Sequence, residues 1–174
     1  MNTPRAVVIG PPGAGKTTIG ELLAARLDVP FRDVDADIEK TAGKSISDIF
    51  TGDGEPVFRA MEEEAVAAGL AEHDGVLALG GGAILSERTR AALAGHAVVF
   101  LNVGLTEGMR RAGLSTARPL LAGVNPRATM KVLMEARLPL YREVATVEVA
   151  TDDLTPDEIV TMVVDRIGAR QGTS

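Results

Sequence analysis

The sequence predicts an α/β fold: a three-layer αβα sandwich around a five-stranded parallel sheet. Three observations predict it. Apolar runs of strand length recur at Ala6-Val7-Val8-Ile9, Val76-Leu77-Ala78-Leu79 and Ala97-Val98-Val99-Phe100-Leu101, as strands buried on both faces require. Segments of helical periodicity alternate with them, which implies right-handed crossovers. A glycine-rich stretch joins the first run to the first helical segment, where a strand gives way to a helix.

Each element follows in order. After the first strand and the glycine stretch, Ile19, Leu22, Leu23 and Leu27 form the apolar stripe of a first helix. Asp28 and Pro30 turn the chain into a second strand over residues 29–33. A helix is expected over 35–41, closed by Gly43, and Ser45 caps a short one over 46–50. Gly52-Asp53-Gly54 breaks the chain. A longer helix follows over 55–70, with Val57, Phe58, Met61, Ala65 and Val66 facing inward. The strand over 76–79 ends in Gly80-Gly81-Gly82. Residues 86–93 read as helix, 97–101 as strand and 106–111 as helix. The stretch 113–124 is a long loop with Gly113, Pro119 and Gly123, the kind that serves as a lid. Pro126 suits a helix start, and Pro139 ends or kinks that helix. Thr146-Val147-Glu148-Val149-Ala150 alternates like an edge strand with one wet face. Thr155-Pro156-Asp157-Glu158 opens the last helix, which runs to about residue 170.

Composition narrows the class. The 174 residues, 45% hydrophobic and 24% charged, fit one soluble domain, taken as 1–174. No apolar stretch has the length of a membrane span, and the first residues lead straight into a strand without a signal peptide. A cytoplasmic location is expected. The absence of cysteine excludes disulfides, thiol catalysis and cysteine metal sites. A net charge of −6 argues against a nucleic-acid partner. Between residues 105 and 142, however, seven basic residues face only Glu107 and Glu135. A basic stretch in an acidic chain suggests an anionic ligand, although most of these arginines taken singly read as solvated helix charges.

Gly10-Pro11-Pro12-Gly13-Ala14-Gly15-Lys16-Thr17 matches the phosphate-binding pattern G-x-x-x-x-G-K-[ST] at every fixed position, in the strand-loop-helix setting the pattern needs. Its glycines let backbone N–H groups approach an anion, and the following helix points its positive end the same way. Lys16 supplies a mobile charge for β and γ phosphates. Thr17 offers a hydroxyl to Mg²⁺.

Other residues are read against plainer roles. Asp33 and Asp35, two apart in an extended segment, face one crevice; one is suited to Mg²⁺ through water and the other to the proton of an attacking hydroxyl. Asp35 serves equally well as a helix N-cap, and Asp37 reads as solvated. Arg59 taken alone reads as a surface ion pair with Glu62 and Glu63. Three adjacent glycines after a buried strand invite close backbone approach to a ligand, or simply turn the chain. Arg118 in the expected lid suits a transferring phosphoryl group. Arg137 lies near a helix end, where a cation also answers the helix dipole. His73 and His96 sit in polar turns without metal spacing. The crossover between the second and third strands carries more helix than it needs, over about 34–70, at the sheet edge where such folds bind ligands.

Taken together, these segments resemble the shikimate kinase family over nearly the whole chain. The matching pieces are Gly10 to Thr18, Asp33-Val34-Asp35, Gly43-Lys44-Ser45-Ile46 with Asp48-Ile49-Phe50, and Gly54-Glu55 with Phe58-Arg59. Leu79-Gly80-Gly81-Gly82-Ala83, Arg118-Pro119-Leu120-Leu121 and Arg137 with Pro139-Leu140-Tyr141 complete the series. The resemblance implies a P-loop NTPase of the nucleoside-monophosphate-kinase type that phosphorylates the 3-hydroxyl of shikimate with ATP, in aromatic amino acid synthesis. It implies that Gly13, Ala14, Gly15, Lys16, Thr17 and Thr18 bind ATP, with Arg118 reaching it from the lid over about 112–124 and Arg111 near the adenine. It implies Mg²⁺ on Thr17 and, through water, on Asp33. Asp35 meets the reacting hydroxyl as candidate base, Arg59 and Arg137 hold the shikimate carboxylate, and Gly80, Gly81 and Gly82 give backbone contacts. The helical segment over 34–70 holds the acceptor, and the family works as a cytoplasmic monomer. One departure stands out: Thr151-Asp152-Asp153-Leu154-Thr155-Pro156 has no basic residue where the family often has one near the adenine. The rival readings are a kinase of the same fold for another small hydroxy acid such as gluconate, and a nucleotide-binding regulatory module.

Overall fold

Five strands pair in parallel in the order β2-β3-β1-β4-β5. The structure is a computed structural model, and it describes residues 3–112 and 125–171. The elements in chain order are β1 (Ala6–Ile9), α1 (Lys16–Leu27), β2 (Phe31–Asp33), α2 (Val34–Ala42), α3 (Ile46–Gly52), α4 (Glu55–Glu72), β3 (Val76–Ala78), a 3₁₀ turn (Ala83–Leu85), α5 (Glu87–Ala92), β4 (Val98–Asn102), α6 (Leu105–Ala112), α7 (Pro126–Val144), β5 (Val147–Ala150) and α8 (Pro156–Gln171).

Alternation along the strands builds two cores. Val7 and Ile9 of β1 face one layer with Leu77, Phe100 and the helical residues Ile38, Phe58 and Tyr141. Ala6 and Val8 face the other with Val99, Leu23 and Val163. The period of two on a strand explains why consecutive apolar residues are all buried: each serves a different layer. β5 is the edge strand expected from its alternation, with Val147 and Val149 buried and Glu148 and Ala150 more open.

Several boundaries differ from the sequence expectation. α2 starts at Val34, and its N-cap is Asp33, whose side chain accepts from the Asp35 N–H. Asp35 therefore lies in the first helical turn, not in an extended segment. Val57 is 44% exposed. The buried face of α4 is Phe58, Glu62, Val66, Gly69 and Leu70, and Val57 stands one residue, about 100°, off that stripe. Leu22 is likewise exposed, beside the buried Ile19 and Leu23 of α1. α7 passes through Pro139 and ends at Val144. Proline removes one helical hydrogen bond, but the turn beyond it is held by Tyr141, which is buried and stacked on Phe100 with centroids 4.8 Å apart. His73 is buried rather than set in a polar turn; its Nε2 lies 3.2 Å from the Pro30 carbonyl and 3.1 Å from that of Val76. Asp37 is not simply solvated but pairs with Arg32 at 2.6 Å.

Candidate functional site

The carboxyl ends of the five strands deliver the candidate residues to one edge of the sheet. In spatial order, β2 delivers Asp33 and Asp35, β3 the glycine triplet, β1 the phosphate-binding loop, β4 the helix bearing Arg111, and β5 the segment containing Leu154. The sheet order therefore places the two aspartates, the glycine triplet, the glycine-rich loop, Arg111 and Leu154 in that sequence along one edge. Ligands of open α/β sheets bind at this edge, where the connections diverge.

The loop after β1 is built for close approach. Gly13 and Gly15 have φ of 82° and 86°, and Gly15 is the N-cap of α1. A side chain at that left-handed position would strain the turn that aims the first N–H groups of α1 outward. Lys16 Nζ donates to the carbonyls of Gly10 and Pro11, at 2.8 and 3.0 Å. The ammonium is thereby kept over the loop, within reach of an anion cradled there.

Thr17 and Asp33 converge. The Thr17 hydroxyl donates to Asp33 Oδ2 at 3.4 Å, and Asp33 Oδ1 accepts from the Asp35 N–H at 2.9 Å. Burial pushes the Asp33 carboxyl above its ordinary pKa, and the neighbouring Asp35 carboxylate pushes it further the same way. Two carboxylates held close beside a hydroxyl fit a hard divalent cation, which would relieve both effects. Among the described residues no group of three or more His, Cys, Asp or Glu could hold a metal.

The glycine triplet is pressed between the loop and α4. A Cβ on Gly81 would stand 3.1 Å from Pro12 Cδ, and one on Gly82 would stand 2.5 Å from both Arg59 terminal nitrogens. A side chain at Gly81 would crowd Pro12, and one at Gly82 would push the Arg59 guanidinium aside. Arg59 pairs with buried Glu62 at 2.7 Å and with Glu55 at 3.3 Å. The sequence expectation of a Glu63 partner is corrected: Glu63 accepts from the Ser86 hydroxyl instead. The helical phase explains this, because Glu62 lies on the buried stripe of α4. Nε and one N–H of each terminal nitrogen are used in these pairs, so each terminal nitrogen keeps one further donor. Arg137 is buried on α7, one turn before Tyr141 and on the same helical face.

Beside the start of α1, a cavity of about 220 Å³ is lined by Ala14, Gly15, Thr18, Ile19, Arg111, Leu154, Pro156 and Ile159. Thr18 and Arg111 thus share it with Leu154 and Pro156 of the segment that lacks a basic residue. Arg111 is oriented by Glu107 at 3.0 Å. Glu107, partly exposed, is held at a pKa of about 2, chiefly by its hydrogen bond from Arg110. Arg118 and residues 113–124 of the expected lid lie outside the described residues.

Two residues here escaped the sequence reading. Tyr141 donates its hydroxyl to the Gly81 carbonyl at 2.5 Å. Asp152 Oδ1 accepts from the Gly104 N–H at 2.8 Å, tying the start of α6 to the segment after β5. Both contacts span more than forty residues of sequence, so no local pattern announces them.

Comparison with known proteins agrees with this geometry. The family model described as shikimate kinase matches residues 12–168. A shikimate kinase of Saccharopolyspora erythraea is 72% identical over 96% of this chain and 95% of its own length, and one of Thermobifida fusca is 56% identical over 95% of this chain and 96% of its own. The solved shikimate kinase of Acinetobacter baumannii in complex with shikimate superposes with a TM-score of 0.92 at 33% identity, covering 98% of this chain and 95% of that one. A gluconokinase of Sinorhizobium meliloti superposes with a TM-score of 0.57 at 21% identity, which shows a shared fold alone. The chain belongs to the shikimate kinase family.

Proposed function

We propose that this chain transfers the γ-phosphoryl group of ATP to the 3-hydroxyl of shikimate with the division of labour that its strand order suggests. The observation that carries the reading is the convergence of Thr17 on Asp33, next to Asp35 and to a glycine triplet that abuts Pro12. Donor and acceptor subsites then share one wall, as in-line transfer needs.

Gly13, Ala14 and Gly15 hold the ATP phosphates with backbone N–H groups, and Lys16 adds its charge. Thr17 and Asp33, through water, would hold Mg²⁺, which supplies neutralisation of phosphate charge when bound. Asp35 orients the shikimate hydroxyl and takes its proton as the new bond forms. Arg59 and Arg137 hold the carboxylate, for which the planar guanidinium fork is suited, and Gly80, Gly81 and Gly82 give backbone contacts. The base lies in the cavity shared by Thr18, Arg111 and Leu154, and Arg118, which lies outside the described residues, is taken as a further contact to ATP. Residues 34–70 serve as the acceptor-binding part of one domain. The reading includes a cytoplasmic monomer; no described helix is long and apolar enough to cross a membrane.

The test is ADP release from ATP and Mg²⁺ by the purified chain, with shikimate, gluconate or a nucleoside monophosphate as acceptor. Shikimate-dependent release is expected. Turnover of gluconate or the nucleotide with none for shikimate would overturn the reading.

A further inference from the structure

Gly80, Gly81 and Gly82 have no side chains with which to fix their own peptide planes, and glycine permits a flip at little steric cost. Their carbonyls are nevertheless all engaged. Gly80 O accepts from the Ala83 N–H at 3.1 Å, and Gly82 O from the Leu85 N–H at 3.1 Å. Gly81 O accepts from the Tyr141 hydroxyl at 2.5 Å. Tyr141 is 2% exposed, and its ring stacks on Phe100 at 21° between planes. α7 is fastened to the same turn a second time: Arg90 donates to the carbonyls of Ile84 and Leu85, at 2.8 and 3.1 Å, and pairs with Glu143 of α7 at 2.8 Å.

No peptide bond here is cis, so the C=O and N–H of each plane point in opposite directions. Anchoring the Gly81 carbonyl toward α7 turns the Gly82 N–H away from it. Gly82 is buried, and among the described residues its N–H makes no backbone hydrogen bond. A buried amide of this kind calls for a partner. We propose that Tyr141 is a positioning residue for the acceptor: its hydroxyl locks the Gly81–Gly82 peptide so that the Gly82 N–H is presented to shikimate beside Arg59. The proposal rests on the functional reading above, which puts the acceptor at the triplet.

Tyr141→Phe keeps the ring and its stack on Phe100 and removes the hydroxyl. The expected result is a shikimate KM raised about tenfold, the size of one hydrogen bond. The ATP KM and kcat should stay within about threefold, a split that a general loss of structure would not give. Amide exchange at Gly82, followed by NMR, should quicken in the variant, and in the unaltered protein shikimate should shift the Gly82 amide resonance. Arg137→Ala is the control. An unmoved shikimate KM in Tyr141→Phe, beside a raised one in Arg137→Ala, overturns the role of Tyr141 and leaves the function standing. Unmoved values in both place the acceptor elsewhere and overturn both. Equal losses for ATP and shikimate with a lowered melting temperature make Tyr141 a packing residue and overturn the proposal.

Discussion

The Thr17 hydroxyl lies 3.4 Å from Asp33 Oδ2, joining the first turn of α1 to the last residue of β2. Because Asp33 also caps α2 through the Asp35 N–H, one carboxylate links the phosphate loop to the helix that carries the candidate base. Burial and the nearby Asp35 carboxylate hold this carboxyl above its ordinary pKa, an effect that a cation bound there would relieve.

Asp33→Asn should separate those two effects. Burial and Asp35 raise the Asp33 pKa in the folded chain above its value of 3.8 in the unfolded one. The native state therefore holds this proton more tightly. Its stability falls as pH rises from the unfolded to the folded pKa, and the deficit persists at neutral pH. Asparagine keeps the oxygen that caps α2 and removes the charge. The ligand-free variant should melt a few degrees higher at pH 7, and its gain in melting temperature on adding Mg²⁺ and ATP should shrink. Thermal scans in both conditions check this, and a lower ligand-free melting temperature would count against it.

Asp35→Asn should retain ATP binding and lower kcat by about 10²–10⁴-fold, the range for loss of a general base. The Asp35 N–H that bonds Asp33 is unaffected by the change. Turnover near that of the unaltered chain would remove Asp35 from the proton-transfer step.

The legible parts of this molecule were those with local signatures. Apolar runs marked β1, β3 and β4, and the loop was read complete from its glycines and Lys16. Pro126, Pro156 and Ser45 placed helix starts correctly. What escaped depends on tertiary contact. Pro139 offers either an end or a kink because proline lacks a donor; α7 does not end there, and Tyr141 packs in the turn beyond it. Spacing offers Arg59 both Glu62 and Glu63; the Glu62 pair forms and the Glu63 pair does not, because only Glu62 lies on the buried stripe of α4. His73 looked solvated because nothing nearby in sequence shows that Pro30 and Val76 supply its carbonyls.

Asp152→Ala should loosen the base side of the site. It removes the acceptor of the Gly104 N–H, an exposed hydrogen bond worth about 1 kcal/mol or less. It also frees the start of α6, the helix that bears Arg111. The ATP KM should rise severalfold with the shikimate KM unchanged, whereas Asp152→Asn, which keeps the oxygen, should remain close to normal. Steady-state kinetics in both substrates decide it; identical behaviour of the two variants would show that the hydrogen bond is not what matters.

Gly82→Ala should fold, because the atoms its Cβ meets at 2.5 Å are the far end of the flexible Arg59 side chain. The guanidinium must nevertheless move, and the shikimate KM should rise about tenfold with little change in melting temperature. Calorimetric titration with shikimate measures the loss. Undiminished affinity would mean that Arg59 takes no part in holding the acceptor.

Pro139 has a mechanical meaning as well as a structural one. Ahead of it, α7 leans on α6: Arg127 reaches the Thr106 hydroxyl at 3.4 Å, and the Met130 methyl would lie 3.6 Å from a Cβ at Gly108. Behind it, Tyr141 and Glu143 are bolted to the turn after β3. With no amide hydrogen at Pro139, the Glu135 carbonyl has no helical donor, and the rod is softest between these two moorings. Arg137 sits at that joint, two residues ahead of Pro139, so the stance of its buried guanidinium is set by the angle at which the two halves of α7 meet.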